Sequence, residues 1–210
     1  MFEIEYKGGN TLIITTKKTN LVFDPKRSLI GLKDIIIKDA VELLTDNRFA
    51  VINDEARLDI SVPGEYGVGD VDIVGIAANG RYDSDDSNYR VIYKLVVGEH
   101  RIAVIGNIDE KLSDNQLEKI GQVDILIIPV GNNGYTLDSI GASKIIKNIE
   151  PKIVIPIHYD DGVSKYEVSQ DKVEVFLKEL DTIPEKTSKL KIKSGYSYPS
   201  SLTVAVLDVS

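Results

Sequence analysis

Apolar and polar positions alternate rapidly along the first half of the chain. In residues 2–6 every second side chain is apolar, which is typical of a strand with one buried face. Glycine, asparagine and proline separate the short apolar runs that follow, as in the turn-rich segment 63–70. We therefore predict a succession of short strands over residues 2–6, 11–16, 21–23, 35–37, 41–44, 51–52, 58–62, 71–76, 89–97 and 101–105.

The pattern changes after residue 110, where longer amphipathic segments begin. Ser113 is a suitable N-cap, and helical spacing of apolar residues predicts helices over 113–120, 138–149 and 169–180. Continuous apolar runs predict strands that are buried on both faces at 123–129 and 152–157, and two further strands follow at 190–193 and 202–209. Helices that cover a strand-rich core indicate a layered α/β or α+β sandwich.

Composition narrows the classes of function. The 210 residues suit one domain over 1–210, with 25 basic and 33 acidic side chains and a net charge of −8. The excess of acidic side chains argues against nucleic-acid binding. No apolar stretch is long enough to span a membrane. Residues 1–7 lack the pattern of a signal peptide. The absence of cysteine excludes thiol nucleophiles and cysteine-ligated metal sites. We expect a soluble, cytoplasmic protein.

Histidine and carboxylate side chains are then the candidates for chemistry. His100 lies in a predicted hairpin turn, where we expect an exposed polar residue. His158 ends a buried strand, and ligand sites gather at the carboxyl ends of strands in layered α/β folds; a histidine held only by packing is the structural alternative. The acidic segment 83–88 lacks the glycine and glutamate of a calcium loop, so we expect a solvated loop there.

Several segments, taken in order, resemble the metallo-β-lactamase superfamily. They are a strand end at Asp24-Pro25, the run 41–45, the turn 63–68, Ile105-Gly106-Asn107, the run 123–131 and the run 151–159. More closely, the chain resembles the branch of predicted Zn-dependent hydrolases related to the L-ascorbate-6-phosphate lactonases, from Phe2 to about Tyr159. The resemblance implies a four-layer αββα sandwich with a metal site between two sheets, at one edge.

The same resemblance implies that the metal site is degenerate. The family's His-x-His-x-Asp-His motif matches the stretch that begins at Asp46, so that Asp46, Arg48, Ala50 and Val51 stand at its four ligand positions. A further histidine position matches Asn79, and the bridging carboxylate matches Asn107. Only His158 stands as a histidine at a ligand position. An arginine at such a position cannot ligate a cation and repels it.

Two functions from different classes remain open. The first is a non-catalytic binding or assembly module, without a metal cofactor, whose pocket holds a small anionic ligand; a homo-oligomer is possible. Its pocket residues are Asp46, Asn47, Arg48, Asn79, Asn107 and His158. The second is a hydrolase with one divalent metal (Zn, Mn or Mg), held by Asp46, His158 and one of Asp109 or Asp160. An Arg48 side chain that points into the pocket favours the first function.

Overall fold

The computed structural model describes residues 1–80 and 89–210, with only the backbone of Tyr89. The acidic loop predicted at 83–88 lies outside the described residues. Seven strands precede that gap: β1 (Phe2–Gly8), β2 (Thr11–Thr15), β3 (Asn20–Phe23), β4 (Val41–Leu43), β5 (Leu58–Ile60), β6 (Gly64–Val68) and β7 (Val71–Asn79). Seven follow it: β8 (Tyr89–Val97), β9 (His100–Val104), β10 (Ile125–Pro129), β11 (Ile153–Ile157), β12 (Glu185–Thr187), β13 (Leu190–Ile192) and β14 (Thr203–Leu207).

The first of two sheets has six strands in the order β13-β1-β2-β3-β4-β5. Strand β1 pairs antiparallel with β13 and β2, and β2 pairs antiparallel with β3, whereas β3, β4 and β5 are parallel. Side chains alternate along β1, so that Phe2, Ile4 and Tyr6 are buried and the residues between them are partly exposed. This confirms the period-two prediction for the start of the chain.

The second sheet has eight strands in the order β12-β14-β11-β10-β9-β8-β7-β6. The strands from β12 to β9 run parallel, and β8, β7 and β6 continue the sheet as an antiparallel meander. Every residue of the central strands β10 and β11 is buried, as the continuous apolar runs predicted. One continuous apolar core contains side chains of both sheets.

Three α-helices accompany the second sheet: α1 (Asp114–Ile120), α2 (Ser139–Ile149) and α3 (Val173–Glu179). The side chain of Ser113 caps α1 by accepting a hydrogen bond from the Gln116 backbone N–H, in a capping box. Helix α1 packs on β7, α2 packs on β10, and α3 packs on α2. Two sheets, with α-helices packed on the second, confirm the predicted sandwich of mixed α and β structure. In the described ranges no helix is both long and apolar enough to cross a membrane.

Four local predictions are wrong. The segment 63–70, predicted as a turn between strands, contains strand β6, which pairs with β7. The runs 35–37 and 51–52 form no strand, and Ile36 and Ile52 are exposed, because an apolar run of two or three residues does not by itself fix a strand. The third helix begins at Val173 rather than 169, because the preceding residues bind the loops after β10 and β11: the Asp171 N–H donates to the Gly131 carbonyl over 2.8 Å.

The prediction of an exposed His100 is also wrong. Its side chain is buried and its Nδ1 lies 2.9 Å from the hydroxyl oxygen of Tyr198. The Phe2 ring packs edge-on against the imidazole, with centroids 5.5 Å apart. Phe2 and Tyr198, which are both distant in sequence, therefore cover this turn. The local sequence pattern around His100 could not predict these contacts.

Tyrosine hydroxyl groups join the two sheets through the core. Tyr93 lies on β8, and its hydroxyl group lies 2.9 Å from the Leu44 carbonyl oxygen and 2.6 Å from that of Ile60, both at strand ends of the first sheet. Tyr6 lies on β1, and its hydroxyl oxygen accepts a hydrogen bond from the His158 backbone N–H over 2.9 Å, just after β11. These buried bonds hold the two sheets in a fixed register at one edge.

Asp24 joins the ends of two neighbouring strands of the first sheet. Its side-chain carboxyl group accepts hydrogen bonds from the Thr45 backbone N–H at 2.8 Å and from the Thr45 hydroxyl at 2.5 Å. The residue is almost wholly buried and has a φ of 47°, in the left-handed region that asparagine and aspartate tolerate best. Burial raises the pKa of Asp24 to about 8, against the opposing effect of the Thr45 hydrogen bonds.

We expect Asp24→Ala to destabilise the protein. The change removes the acceptor of two buried donors and places alanine at a positive φ, and each unsatisfied buried group costs about 1–3 kcal/mol. Urea unfolding followed by circular dichroism measures the loss. Asp24→Asn, which retains an acceptor and suits the backbone, should lose clearly less; equal stability of Asp24→Ala and the wild-type protein would contradict the assigned role.

The raised pKa of Asp24 predicts a fall in stability with rising pH. The folded protein binds one more proton than the unfolded chain between pH ~4 and pH 8, so this contribution is complete below pH ~4 and is lost as the pH rises through 8. Relative to Asp24→Asn, the wild-type free energy of unfolding should fall by roughly 2–4 kcal/mol between pH 5 and pH 8. Parallel pH dependences of the two proteins would show that Asp24 does not titrate in this range.

Candidate functional site

The carboxyl ends of parallel strands from both sheets meet at one edge of the sandwich. Asp46 follows β4 in the first sheet, whereas Asn107 and His158 follow β9 and β11 in the second. The strand-end segments are in close contact, because a Cβ atom on Gly106 would overlap the side chain of Thr45. This edge therefore collects polar side chains from segments far apart in sequence.

Hydrogen bonds fix both the backbone and the ring of His158. Its φ is 51°, and its backbone N–H donates to the Tyr6 hydroxyl oxygen. Its Nδ1 lies 2.7 Å from Oδ1 of Asn10, and its ring stacks on Tyr166 with centroids 4.9 Å apart and planes at 17°. Since an amide oxygen only accepts, Nδ1 donates and Nε2 retains its lone pair.

The His158 imidazole is held in its neutral form. Burial, and to a smaller extent the positive charge of Arg48, lower its pKa to about 3. A neutral ring with a protonated Nδ1 offers Nε2 as a hydrogen-bond acceptor. The ring is partly accessible from a cleft that it helps to line.

The buried carboxylate of Asp46 is paired with two guanidinium groups. Its Oδ2 lies 2.9 Å from Nε of Arg48 and 3.0 Å from Nε of Arg90, a residue of β8. Its Oδ1 also accepts a hydrogen bond from the Arg48 backbone N–H over 3.0 Å. Counted on their own, these two guanidinium groups and one carboxylate have a net charge of +1.

Arg48 carries part of that positive charge to the surface of the cleft. Its guanidinium carbon lies 4.2 Å from the ring centroid of Tyr135 and 4.7 Å from that of Phe49, within the range of cation–π attraction. About a third of its side chain is exposed. The cleft has a volume of about 390 Å³. Besides Arg48 and His158, its polar lining comprises Lys26, Asn133, Tyr135, Thr136, Tyr166, Glu167 and Gln170.

Asn107 is buried, and neither of its side-chain polar atoms has a hydrogen-bond partner among the described residues. Nδ2 of Asn10, the residue that binds the His158 ring, is likewise buried without a partner. Buried amides without partners are costly, so positions that retain them commonly serve a purpose other than stability. Asn107 and Asn10 therefore indicate that this edge of the sandwich was not selected for stability alone.

The structure brings only part of the predicted pocket together. Arg48 and His158 share the cleft, and Asp46 lies behind Arg48, whereas the side chains of Asn47 and Asn79 are exposed and do not line it. The carboxylate of Asp109 accepts from the Lys111 N–H, and that of Asp160 accepts from the Gly162 N–H, each within its own loop.

Sequence reasoning missed several residues of the site. Arg90 lies in a strand with no polar motif around it, so nothing in the sequence indicated its pairing with Asp46. Asn10 had a signal, because it ends a Gly-Gly-Asn turn, but that turn alone could not indicate the bond to His158. Tyr6 lies in a predicted strand, and Tyr166 lies between the predicted strand 152–157 and the predicted helix 169–180. Neither position had a local pattern that indicated its contact with His158.

The donor set of this site does not fit the metal that the resemblance implies. The described residues contain no group of three histidine, aspartate or glutamate side chains placed to hold one ion. The Asp46 oxygen that would have to bind a cation already contacts two guanidinium groups. Arg48 lies close enough to His158 to lower its pKa, so its charge would repel a cation there.

Comparison with known proteins identifies relatives of the chain. A family model described as "Beta-lactamase superfamily domain" matches residues 3–158. A UPF0173 protein of Pyrococcus abyssi is 35% identical over 100 residues, which span 45% of this chain and 46% of that protein. A UPF0173 metal-dependent hydrolase of Carboxydothermus hydrogenoformans is 43% identical over 44 residues, 21% of this chain and 19% of that protein. These matches thus span half or less of the curated relatives' length.

The fold is similar to that of a solved structure over the whole chain. A crystal structure from Thermotoga maritima, described as a candidate Zn-dependent hydrolase of the metallo-β-lactamase superfamily, superposes with a TM-score of 0.79. The similarity covers 100% of both chains at 20% sequence identity. At this identity the match establishes a common fold.

Proposed function

Since the chain belongs to the family of β-lactamase superfamily domains and has the metallo-β-lactamase fold, we propose that it binds a small anion, without a metal, at the cleft beside Arg48. In this proposal the protein is a non-catalytic binding or assembly module. The ligand is a carboxylate or a phosphate, which a guanidinium group recognises through charge-assisted hydrogen bonds.

The placement of Arg48 is the observation that supports this function. Its Nε contacts Asp46, and its ring contacts with Phe49 and Tyr135 restrict the side chain at the wall of the cleft. A guanidinium group paired at Nε still has its terminal nitrogens to offer as donors. Asp46 also contacts Arg90, so it keeps a cationic partner when a ligand anion binds the terminal nitrogens of Arg48.

A metal-dependent hydrolase is the second candidate. It is supported by the name of the Carboxydothermus relative and by the orientation of His158, whose Nδ1 bond to Asn10 is the arrangement that prepares a histidine for metal binding through Nε2. The engagement of Asp46 by Arg48 and Arg90 opposes it, because the other proposed ligand would have to leave two ion pairs. We therefore place it second.

We expect small anions to raise the melting temperature and Arg48→Ala to abolish that effect. At ten times its dissociation constant, a ligand that binds only the folded protein stabilises it by about 1.4 kcal/mol. For a chain of this size that corresponds to a rise of about 3–6 °C. Differential scanning fluorimetry with phosphate and with acetate, at constant ionic strength, measures the shift.

Arg57→Ala is the matched control, because Arg57 is a surface arginine that pairs with Asp39 away from the cleft. It should respond to anions as the wild-type protein does. Arg48→Lys should retain a reduced shift, since lysine keeps the charge but not the planar group of donors. If neither anion shifts the wild-type protein, or if Arg48→Ala shifts as much, the cleft does not bind anions through Arg48.

We also expect the purified protein to contain far less than one equivalent of zinc or manganese per chain. The physical reason is the positive charge of Arg48 beside His158 and the pairing of Asp46 with two guanidinium groups. Mass spectrometry of protein that was purified without chelator and without a histidine tag measures the content. Close to one equivalent, lost in His158→Ala, would favour the hydrolase.

A further inference from the structure

Among the polar groups that line the cleft, Arg48 and His158 offer a ligand two complementary features, a cation and a neutral acceptor. Arg48 supplies the cation. The acceptor is Nε2 of His158, because the bond from Nδ1 to Asn10 commits the ring's one proton to the opposite side. Stacking on Tyr166 and the bond from the His158 backbone to Tyr6 hold the ring in this orientation.

An anion that has no proton to donate satisfies only the first group. It would cover Nε2 without giving it a hydrogen bond, and an acceptor that loses water without gaining a donor weakens binding. An anion with a hydroxyl group close to its charge satisfies both: the charged group binds Arg48, and the hydroxyl donates to Nε2.

We propose that the ligand of this cleft is a small hydroxylated anion, whose charged group pairs with Arg48 and whose hydroxyl group donates a hydrogen bond to Nε2 of His158. This inference rests on the proposed function, because it assumes that an anion binds at Arg48. It adds the chemical class of that anion and gives His158 a role in specificity. His158 is then a selecting residue rather than a relic held by packing.

Matched pairs of ligands test the inference on the wild-type protein. L-Lactate and D-lactate are compared with propionate, and glycerol 3-phosphate is compared with propyl phosphate, by isothermal titration calorimetry at constant ionic strength. The hydroxylated member should bind about 3- to 10-fold more tightly, the range that one hydrogen bond supplies. The pair with the larger difference identifies a carboxylate or a phosphate as the charged group.

Variants test whether the His158 ring causes the preference for hydroxylated ligands. His158→Asn suits the positive φ of this position and lacks Nε2, so it should bind both members of a pair with equal affinity. His100→Asn is the matched control, because His100 begins β9, at the end opposite Asn107, and it should keep the wild-type preference. Circular dichroism verifies that each variant is folded.

The protonation of the ring gives an independent measurement. Nitrogen-15 chemical shifts of His158 should show a protonated Nδ1 and an unprotonated Nε2 at pH 7. A ring protonated at Nε2, or wild-type affinities that are equal within each pair, would overturn the inference. If equal affinities were still abolished by Arg48→Ala, the proposed anion site would stand without the hydroxyl selection. If no anion bound at all, both proposals would fail.

Discussion

The hydroxyl group of Tyr6 is the link on which the geometry of the cleft depends. It is fully buried on the first sheet, it lies 3.2 Å from the Gly9 carbonyl oxygen, and it accepts the backbone N–H of His158 from the second. Because Gly9 and Asn10 are adjacent, one hydroxyl positions both the turn that binds the imidazole and the residue that carries it. The relative position of the two sheets therefore determines the orientation of the His158 ring.

Charge balance is the second constraint on this edge of the sandwich. A carboxylate as buried as that of Asp46 requires a cation, and here Arg48 and Arg90 both approach it. Arg48 belongs to the same 3₁₀ turn after β4 as Asp46, whereas Arg90 belongs to β8, so the Arg90–Asp46 pair forms only when the two sheets pack. The packing of the two sheets therefore determines part of the charge balance around Asp46.

The sequence predicted the sheets better than the site. The alternation along β1 and the buried runs of β10 and β11 depend on local burial patterns, which a single sequence displays. Arg48 was identified from its position in a resemblance, whereas His158 was identified first from its place at a strand end; both line the cleft. The resemblance also singled out Asn47 and Asn79, whose side chains face outward, because matching positions in a sequence do not determine the direction of a side chain.

What the sequence could not provide was long-range pairing. Arg90 contacts Asp46 across 44 positions of the chain, and His100 is covered by Tyr198 from the far end. Neither pair has a local pattern that distinguishes it from a surface charge or an exposed turn. Such contacts follow from the packing of whole sheets, which a reading of short segments does not include.

The shared carboxylate of Asp46 has a consequence for divergence within the family. If Arg48 were replaced by histidine, the cluster would lose a cation before any other ligand position could supply a donor, since Ala50, Val51 and Asn107 would be unchanged. If Asp46 were replaced first, both guanidinium groups would lose the carboxylate that they share. A substitution at either position alone would therefore disturb these ion pairs without completing a set of metal ligands, so a metal site at this edge would require changes at several of these positions together.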